Sequence, residues 1–260
     1  MVSDDAVRTS PERMTIYCYD DGSKGSSPLL ASAFADGFGG KVTQSRELLD
    51  GDVALFGSPV IWDSVIQKAI KENRTWYYAD HAYINRGRYY RVTKNRYQHT
   101  GEGDSNGKRL KAHGIEIKPW RTGAHIVVCP PDEEFARLMG IDATEWTERA
   151  RQKLAEATDR PIIWRDRLGH KKQLTADLAN AHALVTFMSN AAVEAIIDGI
   201  PVFCNGPCAA QSMGKPDFSE IEYPIYPDDR QRFLGVLADN QWTLDEIRSG
   251  QCKAWFDGHM

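Results

Sequence analysis

Two short groups of residues carry side chains with chemistry to offer. The first is Asp80-His81, just past the apolar run Thr75 to Ala79. A carboxylate, or an imidazole that ionises near neutrality, can take the proton from a hydroxyl nucleophile as it attacks. Asp20 and Asp21 stand in the equivalent place after Met14 to Tyr19 and are the alternative bases. The second group is Ser189-Asn190 followed by Glu194. A small polar pair at a helix start, together with that helix's free N–H groups and positive dipole end, suits a phosphate. Glu194, one turn further in, is within reach of a ribose hydroxyl. Arg165, Arg167, Lys171 and Lys172 follow another apolar run, Arg160 to Arg165, and could neutralise a departing diphosphate without a metal.

Each group needs an element to hold it. Ala183 to Met188 has strand length, Ala191 to Ile197 is built of helix formers closed by Asp198-Gly199, and Ile200 to Cys204 reads as the next buried strand. That is a βαβ half-unit, and ligands collect at the carboxyl edge of such a sheet. The same pattern recurs earlier. Met14 to Tyr19 is a strand, Asp20 to Ser27 a glycine-bearing turn, and Leu29 to Phe38 a helix with Ser27 as cap and Pro28 at its first position. Strands are also expected at Lys41 to Arg46 and Asp52 to Phe56, with a helix over Trp62 to Glu72. A second α/β unit opens near Lys118 with the strand Ala124 to Cys129. Helices follow at Glu133 to Met139 and Thr144 to Ala157, then a strand over Arg160 to Arg165. Asp229 to Leu237 and Thr243 to Arg248 are helical, separated by a break at Asn240-Gln241-Trp242.

The S-N-x-x-x-E element between two strands, followed by D-G-I-P-V-F, resembles the nucleotide-sugar site in the C-terminal domain of GT-B glycosyltransferases. The resemblance implies an α/β fold of two Rossmann-like domains facing across a cleft. It implies a lead-in at 1–13, an acceptor-side domain at 14–117, a donor-side domain at 118–228, and C-terminal helices at 229–260 that return to the first domain. It gives the diphosphate contacts to Ser189 and Asn190 and the ribose contact to Glu194, with Arg165, Lys171, Lys172 and Gly123 completing the donor side. The donor would be a nucleotide sugar, most simply a UDP-sugar, in an inverting reaction that needs no metal and draws its base from Asp80 or His81. Acceptor contacts would come from Asp20 and Gly22 in the first turn and from Arg86, Arg88, Tyr89, Tyr90 and Arg91. Compact GT-B proteins of phage genomes and capsule-type transferases carry the nearest likeness.

Composition narrows the acceptor. The chain of 260 residues has net charge −4, yet between Arg86 and Arg121 there are ten Lys or Arg against three Asp or Glu. Interleaved with tyrosines, that excess suits a polyanion and stacked bases. It points to DNA as acceptor, through a 5-hydroxymethylpyrimidine, with a glycan end as the alternative. A non-catalytic nucleic-acid-binding protein on the same fold is the rival of another class, and a nucleotide-sugar epimerase is a related one. The structural reading of the same residues is plainer: a solvated basic loop ending in a mobile tract at Thr100 to Gly107, Asp80 capping its own loop, and His81 packed on Tyr83.

Other chemistries find less support. The glycine turn after the first strand matches neither a dinucleotide fingerprint nor a P-loop. Five cysteines, an odd number with three inside or at the end of apolar strand-like runs, indicate reduced thiols and a cytoplasmic setting. Neither Cys204-x-x-x-Cys208 nor His125-x-x-x-Cys129 has a second pair to complete a metal site. No run reaches the ~20 apolar residues of a membrane span.

Overall fold

A computed structural model describes residues 15–165 and 173–258. The expected lead-in at 1–13, the Met14 start of the first strand, and Arg167, Lys171 and Lys172 lie outside the described residues. The first part of the chain runs β1 (Ile16–Tyr19), α1 (Ser26–Phe38), β2 (Lys41–Thr43), β3 (Asp52–Phe56), α2 (Asp63–Lys71), β4 (Trp76–His81), β5 (Tyr90–Lys94) and α3 (Lys108–His113). It continues as β6 (His125–Cys129), α4 (Glu133–Leu138), α5 (Ala143–Ala157), β7 (Ile162–Trp164), α6 (Leu174–Leu178), β8 (Ala181–Thr186), α7 (Ala191–Ile197) and β9 (Val202–Cys204). The last part holds β10 (Gly214–Lys215), α8 (Arg230–Asp239), β11 (Gln241–Trp242), α9 (Leu244–Arg248) and α10 (Gln251–Gly258).

The strands form two sheets. In the first, ordered β11-β5-β4-β3-β1-β2, the four strands β1 to β4 are parallel and β5 is antiparallel to β4. The second, ordered β10-β9-β8-β6-β7, is parallel throughout. Each is covered by helices, as parallel sheets require. The two-residue period of a strand divides the first sheet's side chains between two cores. Val53, Leu55, Trp76 and Tyr78 pack with Trp62, Val65 and Ile66 around α2. Their immediate neighbours Ala54, Phe56, Tyr77 and Ala79 pack with Leu30 and Phe34 of α1 and with Ile247 and Phe256 of α9 and α10. The second sheet's core, centred on Val127, Leu184, Val185 and Phe203, also takes in Tyr83, Ile84 and Leu110 from the first part of the chain and Phe233 and Leu237 from α8.

The C-terminal segment is anchored on the first sheet. Thr243 and Glu246 form a capping box at the start of α9, and the Glu246 carboxylate also takes Arg109 of α3 at 2.7 Å. A Cβ on Gly37 would stand 1.8 Å from the Ile247 carbonyl oxygen, so only glycine lets α1 and α9 approach this closely.

Several expectations change. Tyr90 to Lys94 is a strand rather than a solvated stretch, and Gln241-Trp242, expected as a break, is the edge strand that pairs with it. Thr100 to Gly107 is pinned. Arg232 donates to the Gly103 carbonyl at 2.7 Å, and a side chain on Gly101 would strike the Phe233 ring. The first helix starts at Ser26 with Gly25 at the cap position. The Ser27 hydroxyl, expected to cap it, instead accepts from the Asp21 N–H at 3.0 Å.

Candidate functional site

The carboxyl edge of the first sheet carries the catalytic candidates, within β4 rather than beyond it. Asp80 and His81 are its last two residues, opposite Arg91 and Tyr90 of β5. The strand period therefore sends them to opposite faces. Asp80 lies on the α2 face, where Arg91 Nη2 donates to its Oδ2 at 2.6 Å and the His81 backbone N–H to its Oδ1 at 2.7 Å. His81, exposed at the strand's end, lies on the α1 face with its ring edge-on to Phe56 at 5.9 Å, not against Tyr83. Tyr90 shares that face, packing on Phe56 at 5.6 Å and reaching the Ser26 hydroxyl at the start of α1 at 3.2 Å. Asp20, at the end of β1, is buried and turned inward, its carboxylate accepting from the Gly22 N–H and from Gln44 at 3.0 Å each. Gly22 has φ of 76°, the left-handed conformation this tight turn needs. Asp21 is more open. Burial raises its pKa, but hydrogen bonds from Ser23 and Ser27 and the charge of Arg46 outweigh that and hold it below the usual carboxylate range.

The side chain that organises the site is Arg91. It is 4% exposed. Besides Asp80 it donates through Nη1 to Asn190 Oδ1 at 2.8 Å, and its guanidinium lies over the Tyr83 ring at 5.1 Å. Burial disfavours its charge, yet Asp80, Tyr83 and Tyr78 more than offset that and push its pKa above the ordinary arginine value. Its buried Nε–H has no acceptor among the described residues. One cation thus joins the end of β4 in the first sheet to the turn after β8 in the second.

That second turn differs in detail from the expected phosphate cradle. Asn190 occupies the cap position of α7 without capping it, because Arg91 holds its side chain. Ser189 does accept from the Ala191 N–H, at 3.2 Å. The next amides close on the turn itself: Ala192 N–H to the Ser189 carbonyl, Val193 N–H to the Asn190 carbonyl, and Ser189 N–H to the Thr186 hydroxyl. The expected free amides are therefore largely committed, and the positive charge at this edge comes from Arg91. Glu194, partly buried, pairs with the exposed Arg86 at 3.3 Å.

Around the end of β6, Arg165 is bound to the buried Asp177 carboxylate, so its charge is held in place rather than offered freely. The Cys129 thiol registers these neighbours. Burial pushes its pKa up to about 12, with Arg165 opposing and Glu194 and Asp177 reinforcing the rise. Gly123 is not brought here. It lies at the opposite, amino edge beside Asn180, its carbonyl bonded to Arg160 at 2.8 Å. The acceptor residues also separate. Tyr90 and Arg91 are interior, while Arg88 stacks on Tyr89 at 5.4 Å and Tyr89 on His113 at 4.3 Å, away from Asp80. Among the described residues no three His, Cys, Asp or Glu side chains converge on a common point suited to a metal ion. His125 instead bonds the Asp177 carbonyl, at 2.7 Å.

Sequence reasoning missed Gln98. Its amide donates to the Met188 carbonyl at 2.9 Å and its carbonyl accepts from the Ala209 N–H at 3.2 Å, tying the residue before the 189–190 turn to the loop after β9. A lone glutamine in a polar stretch carries no signal that would have singled it out.

No family model matches the chain, and no curated protein is similar to it. Among solved structures, Thermosulfurimonas dismutans KpsC, described as a beta Kdo 2,4 transferase, is similar over 87% of this chain and 98% of that one, at a TM-score of 0.48 and 11% identity. A likeness of that size does not bear on the chemistry. No described helix is long and apolar enough to cross a membrane.

Proposed function

We propose that this protein is a glycosyltransferase, moving a sugar from a nucleotide-sugar donor, UDP-linked in the simplest case, to a hydroxyl of a saccharide acceptor. The two sheets are the two lobes of a GT-B-like arrangement: the chain passes between them near residues 117 and 118, α8 packs with Tyr83, Ile84 and Leu110 in the core of the second lobe, and α9 and α10 return to the first. The observation that carries this reading is the Arg91 bridge, which sets the carboxyl edges of two α/β sheets against each other with a buried cation between them. In an open parallel sheet that edge is the ligand edge, and here two such edges meet.

In this reading Ser189 and Asn190 flank the donor diphosphate, and Arg91 supplies charge to the leaving group, its spare Nε–H remaining for a phosphate oxygen. Glu194 takes the ribose once Arg86 swings off it, a small cost for so exposed an ion pair. His81 is the base. Asp80 is a positioning residue, because both of its oxygens are already engaged and one of them fixes Arg91. As the acceptor oxygen bonds to the anomeric carbon and the bond to the diphosphate breaks, His81 takes the hydroxyl proton.

The DNA acceptor loses two of the residues that recommended it. Tyr90 and Arg91 are buried, which leaves Arg86, held by Glu194, and the Arg88–Tyr89 stack. Incubation with a panel of nucleotide sugars, against oligosaccharide acceptors in one arm and hydroxymethylated DNA in the other, tests the proposal by mass spectrometry of the products. A hexose or sugar-acid increment on the saccharide supports it. An increment on the DNA overturns the acceptor, and a complete panel without transfer or donor hydrolysis overturns the activity.

A further inference from the structure

At the opposite end of β4 and β5 from Asp80 lies a cavity of about 720 Å³ that the chemistry above does not use. Lys94, at its rim, sits three residues along β5 from Arg91, about 10 Å at the rise of a strand. One wall is cationic. Lys94 and Arg96 both line it, and Arg96 is exposed and makes no ion pair among the described residues. His99 adds a donor to that wall. The Gly101 N–H donates to its Nδ1 at 3.0 Å, so the neutral ring carries its proton on Nε2. Burial, with Arg96 adding to it, lowers the His99 pKa to about 4, and the ring stays in this neutral form at physiological pH.

Across the cavity α10 contributes Trp255 and Phe256, which meet edge to face at 87°. Two rings so crossed cannot sandwich a flat base, but one of them can support the apolar face of a sugar. The rest of the lining is short and polar: the hydroxyls of Thr75 and Thr100, the amide of Asn95, and a single carboxylate, Glu102, whose Oε2 accepts the Thr100 hydroxyl. A one-sided aromatic support ringed by hydrogen-bonding groups fits a polyhydroxylated ring; Lys94 also faces Asp52, Asp257 and Lys253, so the exposed Arg96 is the cation that favours an anion, with Glu102 the single carboxylate of the lining.

We infer that this cavity is a second ligand site, for a saccharide bearing a phosphate or carboxylate, with Arg96 on the anion and Trp255 beneath the ring. It is separate from the Arg91 edge, and its occupancy does not depend on the reaction proposed there.

Titration calorimetry on the intact protein tests this with glucose 1-phosphate and glucuronate as probes, and with glucose, inorganic phosphate and AMP as controls. Either charged sugar should bind at one per chain. Arg96→Gln, at an exposed position and checked by an unchanged melting temperature, should weaken it about tenfold, the loss of one charge-assisted hydrogen bond. Glucose should bind at least as weakly as the variant binds the charged sugars. Binding by glucose 1-phosphate alone or by glucuronate alone tells which anion the site takes, and either supports the site. No heat from either sugar anion up to millimolar concentration would overturn the inference, as would equal binding by wild type and Arg96→Gln. Inorganic phosphate binding as tightly as the sugar anions would remove the saccharide, and AMP binding in preference to them would replace it with a nucleotide.

Discussion

If Arg91 is the cation that holds the two sheet edges together, replacing it with methionine should be the most disruptive change near the site. The shape of the side chain is roughly kept while its charge is lost. Asp80 is then left 26% exposed with one backbone N–H, and Asn190 loses its partner. Breaking a buried ion pair from one side costs about 3–5 kcal/mol, and the Asn190 hydrogen bond adds about 1 kcal/mol. Because Asp80 keeps some contact with water, the lower end applies, about 4 kcal/mol in all. In urea that should lower the unfolding midpoint by roughly 1 M. Removing both charges, as Arg91→Met with Asp80→Asn, should recover part of the loss, giving a coupling of at least about 1 kcal/mol in a double-mutant cycle. A loss below about 0.5 kcal/mol for Arg91→Met, or additivity within about 0.3 kcal/mol, would refute the argument that this pair organises the edge.

Other outcomes follow from the same geometry. His81→Ala should lower the rate of sugar transfer by about 10²- to 10⁴-fold while leaving the melting shift produced by UDP intact, since the ring takes a proton and holds no donor. Glu194→Ala should abolish that shift and change stability by less than about 1 kcal/mol, because its partner Arg86 is half exposed. His99, whose pKa is lowered to about 4, makes stability pH-dependent: between the ordinary histidine pKa of ~6.5 and about 4 the unfolded chain takes up a proton that the folded chain refuses. Stability should therefore be full above pH ~6.5 and fall by roughly 3 kcal/mol as pH drops toward 4, a component that His99→Asn removes in urea titrations at several pH values. Gly37→Ala should cost about 1–3 kcal/mol or more in urea unfolding, since its methyl would enter the Ile247 carbonyl of α9.

Much of the scaffold was legible because its elements are strongly patterned. Asp52 to Phe56 and Ala191 to Ile197 are each apolar enough, and closely enough bounded by glycine or polar turns, to be placed within a residue or two. Tyr90 to Lys94 was not, since charge and hydroxyl in YRVTK suggest solvent. Its burial depends on Asp80, eleven residues away, which gives Arg91 a partner that no local pattern reveals. The same long-range pairing explains the site. The positions of Asp80, Ser189 and Glu194 could be read from strand ends. That Asn190 would give its side chain to Arg91, that Arg86 would cover Glu194, and that the turn's amides would close on themselves are tertiary facts. Gly123 was misplaced for a simpler reason: it precedes its strand, and only groups that follow a strand reach the ligand edge.

The most direct test of the central claim is a crystal structure of the protein soaked with UDP. Difference density for the diphosphate is expected between Arg91 and the Ser189-Asn190 turn, with the ribose at Glu194 and Arg86 displaced from it. Density for UDP elsewhere, with the Arg86 to Glu194 pair and the Arg91 bridge untouched, would contradict the claim.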